Sequence, residues 1–140
     1  MASIHREIVI DAPREAVWSA LRDVGALHTR LVRGFVVDCR LDGDDARIVT
    51  FANGVVAREV IVDVDDARAR IVWTASGGRL THHNASAQAF AEGPAATRVV
   101  WIADLLPHAM APAIAPMIEH GLAAMKGTLE DTPATSKEAS

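Results

Sequence analysis

Ile4-His5-Arg6-Glu7-Ile8-Val9-Ile10 runs through Asp11-Ala12-Pro13 into Arg14-Glu15-Ala16-Val17-Trp18-Ser19-Ala20-Leu21-Arg22-Asp23, and this opening decides the fold. Its first part sets Ile4, Arg6, Ile8 and Ile10 against His5, Glu7 and Val9, the two-residue period of a strand with one buried face. Its second part gathers Val17, Trp18 and Leu21 into one apolar stripe at helical spacing. Between them, Asp11 can cap a helix, and Pro13 suits a first turn, where its missing N–H would have had no partner. A strand therefore stops and a helix starts at once. Arg6 shares the phase of the isoleucines, so it either points inward at an anionic group or snorkels to water near a strand end.

Working outward, Val24 to Leu31 contains Gly25 and His28 and is read as a second short helix. Alternation returns at Phe35, Val37, Cys39 and Leu41, and further strands are expected at Ala46 to Ala52, Val55 to Val64, Arg68 to Ala75, Arg79 to Ala91 and Ala96 to Leu106. The separators are Asp42-Gly43-Asp44-Asp45, Asn53-Gly54, Asp65-Asp66-Ala67, Ser76-Gly77-Gly78 and Glu92-Gly93-Pro94, residue types that supply positive φ or local hydrogen bonds. Consecutive strands joined by tight turns predict an antiparallel meander. From Pro107 to about Glu130 the period becomes helical, with Ile114, Ile118, Leu122, Met125 and Leu129 on one face. Pro112 and Pro116 each remove a backbone donor, so the regular helix is expected to begin near Pro112 or to kink there. Residues 131–140 are polar, lack apolar anchors and are expected to form a disordered tail, leaving 1–130 as a single domain.

Composition narrows the function classes. The 140 residues suffice for one domain with a core and a cavity. With 14 Lys and Arg against 18 Asp and Glu, the net charge of −4 argues against nucleic acid as a partner. Cys39 is the only cysteine, so an internal disulfide is impossible and a cysteine-built metal site is not expected. The charged N-terminus lacks a secretory pattern and no apolar run reaches the length of a membrane span, which predicts a soluble, cytoplasmic protein without stable membrane insertion. Neither hydrolase, kinase nor zinc motifs occur, and neither a cofactor nor a metal is expected.

The opening strand, Ala12-Pro13, and Val17-Trp18 with Leu21 and Asp23 resemble the N-terminus of the START-like superfamily, which includes polyketide cyclase/dehydrase and lipid-transport proteins. The element order is that of the same group and extends the resemblance over nearly the whole chain. Arg47, Asn53-Gly54, Glu59, Asp65-Asp66 and Trp73 are similar to its cyclase/dehydrase branch, as are Trp101, Asp104 and Pro107. The resemblance implies an α+β helix-grip fold, in which a curved antiparallel sheet, with two short helices after strand one, wraps a long C-terminal helix. It also implies a cavity for a small hydrophobic or amphipathic molecule, lipid- or polyketide-like. One departure is the absence of tyrosine, which leaves polar recognition to His, Asn, Gln, Ser, Thr or Arg.

Counting register from tight connections at Ser76 to Arg79 and Glu92 to Ala95 pairs Trp73 with His82, and then Ser86 with Trp101. Trp73, His82, Asn84, Ser86, Gln88 and Trp101 then share one face, which is assigned to the concave side. Together with Ile114, Ile118, Leu122 and Met125 of the final helix they are the expected ligand-binding residues. His82 and Asn84 are the catalytic candidates, for proton transfer or hydrogen bonding to a ligand; the plainer alternative is that they bond to water or neighbouring strands. A one-residue slip would invert the face; on the opposite phase of the counted register His83 stands against Asp104. His82 and His83 point to opposite faces and do not share a metal ion. Arg47 and Glu59 flank Asn53-Gly54 symmetrically and are read as a cross-strand surface ion pair. Cys39 is expected to be buried, and His108 and His120 to face solvent. Non-catalytic binding leads, with a cyclase/dehydratase using the same cavity as the alternative. The third possibility is a ligand-responsive module or homodimer joined through an exposed Val100 and Ile102 patch.

Overall fold

The structure, a computed structural model, describes residues 2–76 and 79–138, with side chains described as far as Asp131. Seven antiparallel strands form one sheet: β1 (Ala2–Ile10), β2 (Val36–Leu41), β3 (Ala46–Phe51), β4 (Val56–Asp65), β5 (Arg70–Ser76), β6 (His82–Ala91) and β7 (Thr97–Leu106). Their spatial order is β1-β7-β6-β5-β4-β3-β2. Consecutive strands from β2 to β7 are neighbours, and β1 closes on β7 at the far edge. α1 (Arg14–Arg22) follows β1, and the long helix α2 (Ala111–Glu138) crosses the concave face. The expected α+β helix-grip architecture is therefore present.

Local chemistry explains the boundaries. Pro13 is the residue at which α1 begins, its carbonyl accepting from the N–H groups of Ala16 and Val17, so the stop after β1 is made by proline rather than by an aspartate cap. Asp11 instead donates its backbone N–H to Glu130 Oε2 at 2.8 Å, tying the β1–α1 corner to α2. The second expected helix shrinks to one wide π-helical turn, Leu27–Leu31, which buries Leu27 and Leu31. At the Asn53-Gly54 turn, Gly54 takes φ +90° and Asn53 Oδ1 accepts the Val55 N–H at 3.0 Å. The Ser76-Gly77-Gly78 turn lies partly outside the described residues. A short 3-10 turn, His108–Met110, precedes α2, which starts at Ala111 and accepts Pro112 in its first turn. The helical backbone runs on to Glu138, and the last two residues of the expected tail, 139–140, lie outside the described residues.

The core lies between the sheet and α2. Ile4, Ile8 and Ile10 of β1 face inward opposite Ala103, Val99 and Thr97 of β7, while Ile118, Leu122, Met125 and Leu129 supply the helix side. Arg6, in the same phase, reaches the rim of α2 and pairs with Glu119 at 2.9 Å, the outward option of its two readings. On the inner face of β6 stand Ala85, Ala87 and Ala89, all buried. These small side chains lie opposite Trp73 (from Ala85) and Trp101 (from Ala87), so the two indoles have room to meet edge-to-face across β6 at 5.7 Å. Val100 is buried and Ile102 only half-exposed, so the apolar patch expected there is absent; exposed large apolar residues sit instead at positions such as Val37, Leu41, Val56 and Val62.

Gly121 shows how close α2 comes to the rings. A Cβ at this position would stand 2.8 Å from the Trp101 ring and 3.3 Å from the Phe35 ring. At Gly127, six residues further on, a Cβ would meet nothing within 4 Å. Both exchanges to alanine gain helix propensity of about 1 kcal/mol, but only the first forces apart a packed contact, at about 1–3 kcal/mol. Thermal denaturation is expected to show Gly127→Ala raising Tm and Gly121→Ala lowering it.

Candidate functional site

The strand register sets Arg47 of β3 directly opposite Glu59 of β4. The pairing agrees with its symmetric spacing about the Asn53-Gly54 turn, but its environment is not the expected one. Arg47 is only 3 % exposed and Glu59 only 7 %. Arg47 Nε donates to Glu59 Oε1 at 2.8 Å, and its Nη1 donates to the Val24 carbonyl at 3.3 Å. Its guanidinium carbon stands 5.8 Å from the centre of the Trp73 ring, within cation–π range. The signal that marks this burial is phase: Arg47 alternates with Val49 and Phe51, Glu59 with Ala57 and Ile61. Charge alone suggests the surface, whereas phase assigns both to the apolar face.

Around this pair the inner ends of the elements leave a cavity of about 50 Å³. Trp73 and Trp101 form one wall, Met125 comes from α2, and Leu21, Leu27 and Leu31 come from α1 and the π-helical turn. That volume has room for a few water molecules. A wider, open groove of about 380 Å³ lies outside it, bordered by Arg33, Asn53, Met117 and His120. Phe35 and Phe51 line both spaces, with ring centres 5.5 Å apart in an edge contact, and so form the partition between them.

Of the expected ligand-binding residues, Trp73, Trp101 and Met125 line the cavity. Ile118 and Leu122 are buried beside it on the same face of α2, and Ile114 is half-buried near the helix start. His82, Asn84, Ser86 and Gln88 are on the other side of the sheet, which corrects the assumed register. Trp73 pairs with Ala85 rather than His82, three residues further along β6, and Trp101 pairs with Ala87 rather than Ser86. Longer connections cause both shifts: the β6–β7 turn spans Glu92 to Ala96, closed by the Glu92 N–H to the Ala96 carbonyl. Odd shifts invert β6 alone and leave β5 and β7 in their expected mutual phase. Ser86 is buried between its neighbours Val72 and Ile102, and Gln88 donates to the Arg68 carbonyl at 3.2 Å. His82 and Asn84 border an open depression with Thr74 and Asp104, away from the cavity, so neither reaches a ligand held there.

His83 takes the inward phase at the sheet end, opposite Leu105 rather than Asp104. Its Nδ1 accepts the Ala75 N–H at 3.0 Å, and burial, with His82 adding to it, holds the imidazole below its ordinary value. Asp104 accepts the Ser3 hydroxyl. Cys39 is buried as expected; loss of solvent pushes its thiol up, which makes it a weak nucleophile. His108 and His120 are exposed. Among the described residues, no three His, Cys, Asp or Glu side chains lie close enough to hold a metal ion, and no helix is long and apolar enough to cross a membrane.

The ion pair and the histidine each generate a measurable outcome. Removing one member of the buried pair strands its partner's charge, so Arg47→Met and Glu59→Leu are each expected to cost about 3–5 kcal/mol in urea denaturation. The double variant R47M/E59L removes both charges and is expected to recover most of that loss. For His83 the lowered folded pKa means that the unfolded chain binds the proton more readily. Its contribution to stability is therefore complete above the unperturbed value of 6.5 and is lost as pH falls below it. In His83→Asn, whose side-chain oxygen can replace Nδ1 as acceptor, the fall in stability below 6.5 is expected to flatten.

Known proteins supply the context for this geometry. No curated protein matches the chain. Among solved structures, a START superfamily protein from Mycobacterium smegmatis is 16% identical with a TM-score of 0.75, covering 93% of this chain and 98% of that one. The Zhui aromatase/cyclase from a Streptomyces species is 17% identical with a TM-score of 0.73, covering 92% and 93%. A Thalictrum flavum norcoclaurine synthase, solved as a point mutant with a transition-state analogue, is 20% identical with a TM-score of 0.69, covering 97% and 96%. At such identities the likeness is one of fold. The family model described as polyketide cyclase / dehydrase and lipid transport matches residues 1–130, and the chain belongs to that family.

Proposed function

We propose that the protein binds a small hydrophobic or amphipathic molecule in the cavity between the sheet and α2. The observation that carries this reading is the cavity itself: an apolar, aromatic-walled space, parted from an open groove by two phenylalanine rings. Trp73, Trp101 and Met125 are its proposed ligand contacts. A molecule larger than a few waters enters by displacing side chains, and the mobile candidates are the thioether arm of Met125 and the rings of Phe35 and Phe51. Family membership supports a ligand cavity without choosing between carriage and turnover, since one fold hosts both. Carriage is preferred because the described residues lining the cavity include only two ionisable groups, Arg47 and Glu59, and these neutralise one another.

Native mass spectrometry of the purified protein, followed by denaturing extraction, is expected to reveal a retained apolar compound or, from empty protein, uptake of the neutral dye Nile red. Folded protein that retains nothing and leaves the dye's emission unchanged would remove the proposal. Phe51→Ala opens the partition and is expected to speed dye uptake in stopped-flow fluorescence relative to the native chain.

A further inference from the structure

The buried ion pair is only partly satisfied by the protein. A guanidinium carries five N–H groups and a carboxylate two oxygens. Arg47 uses Nε on Glu59 and Nη1 on the Val24 carbonyl, while Glu59 accepts through Oε1. Among the described residues, none hydrogen-bonds Arg47 Nη2 and none donates to Glu59 Oε2. The Arg47 side chain is 4 % exposed and that of Glu59 10 %, and both line the cavity. The space thus presents one unused donor set and one unused acceptor on a single ion pair, surrounded by Trp73, Trp101, Phe51 and Leu27.

Resting on the cavity reading above, we infer that Arg47 and Glu59 recognise a neutral polar head that carries an acceptor beside a donor, such as an amide or a hydroxy-carbonyl, on a flat apolar body. The acceptor takes an N–H from Arg47 Nη2, and the donor gives its hydrogen to Glu59 Oε2. Charge selects against the alternatives. An anionic head would meet the Glu59 carboxylate at short range in a poorly solvated space, and a cationic head would meet Arg47 in the same way. A purely apolar head would leave both unused atoms without a partner, which is costly for buried charged groups. Only a neutral donor–acceptor head satisfies both while adding no net charge. The indole and phenyl walls favour an aromatic body.

Three single-ring probes of similar shape test this: benzamide, benzoate and toluene, titrated against the full chain and followed by tryptophan fluorescence, since Trp73 and Trp101 line the space. Benzamide is expected to bind about tenfold or more tightly than either of the others, the scale of one charge-assisted hydrogen bond. In R47M/E59L, which keeps the site apolar and avoids a stranded charge, that preference is expected to vanish while toluene still binds. Equal binding of all three to the native chain overturns head recognition and leaves the cavity reading standing. Benzoate binding tightest, or a benzamide preference that survives in the double variant, also overturns it. Should none of the probes bind to protein that takes up Nile red, head recognition is overturned and the cavity reading stands; should the dye fail as well, both fall.

Discussion

Everything in the interior depends on how closely α2 can approach the sheet, and the Trp101 ring sets that distance. The ring rises from β7, has Ala87 as its cross-strand neighbour and meets α2 where Gly121 offers no side chain. Trp73, two strands away, leans against it edge-on. Two large rings flanked by small residues hold the helix tight along one line and leave space beside it. Close packing and a cavity are therefore products of the same arrangement: alanines on β6, glycine on α2 and indoles between them.

The cavity is unusual in what it encloses. An ion pair this deep is a poor source of stability, because stripping water from two charges offsets much of their attraction. Its Nε···Oε1 bond, the Val24 carbonyl and the Trp73 ring moderate that cost, but two polar atoms remain without protein partners. An apolar pair would fill the same positions of β3 and β4 at little net cost. A polar group held where it does not best serve stability is a natural candidate for recognition. The same low polarity that makes the pair costly also strengthens any hydrogen bond it makes to a bound molecule.

Much of the fold was legible along the chain. Ile4 to Leu21 announced strand then helix, Asn53-Gly54 marked the β3–β4 hairpin, and the Ile118, Leu122, Met125 and Leu129 stripe identified the face of α2 that became core. Each depends on neighbours within a few residues, where period and turn chemistry act directly. Trp73 and Trp101 were found for the same reason, as large apolar residues in the buried phase of their strands. On β6 local pattern and tertiary structure part. His82, Asn84, Ser86 and Gln88 were assigned inward because their register was counted across two connections assumed to be tighter than they are, and an odd shift reverses every side chain of a strand. The run Ala85, Ala87 and Ala89, opposite the tryptophans, carries the inward phase: small residues are what an indole-filled layer needs.

The sequence by itself determined the order of elements, the antiparallel meander, the helix stripe and the direct pairing of Arg47 with Glu59, because all of these follow from periodicity and short turns. Tertiary structure alone decided that this pair is buried, that Phe35 and Phe51 separate an inner cavity from an outer groove, and which face of β6 looks inward. Those outcomes depend on sheet curvature, on bulges such as that between Ile61 and Asp63, and on the closeness of α2 at Gly121. Such properties arise between residues distant in sequence, where loop length and packing, rather than local pattern, set the geometry.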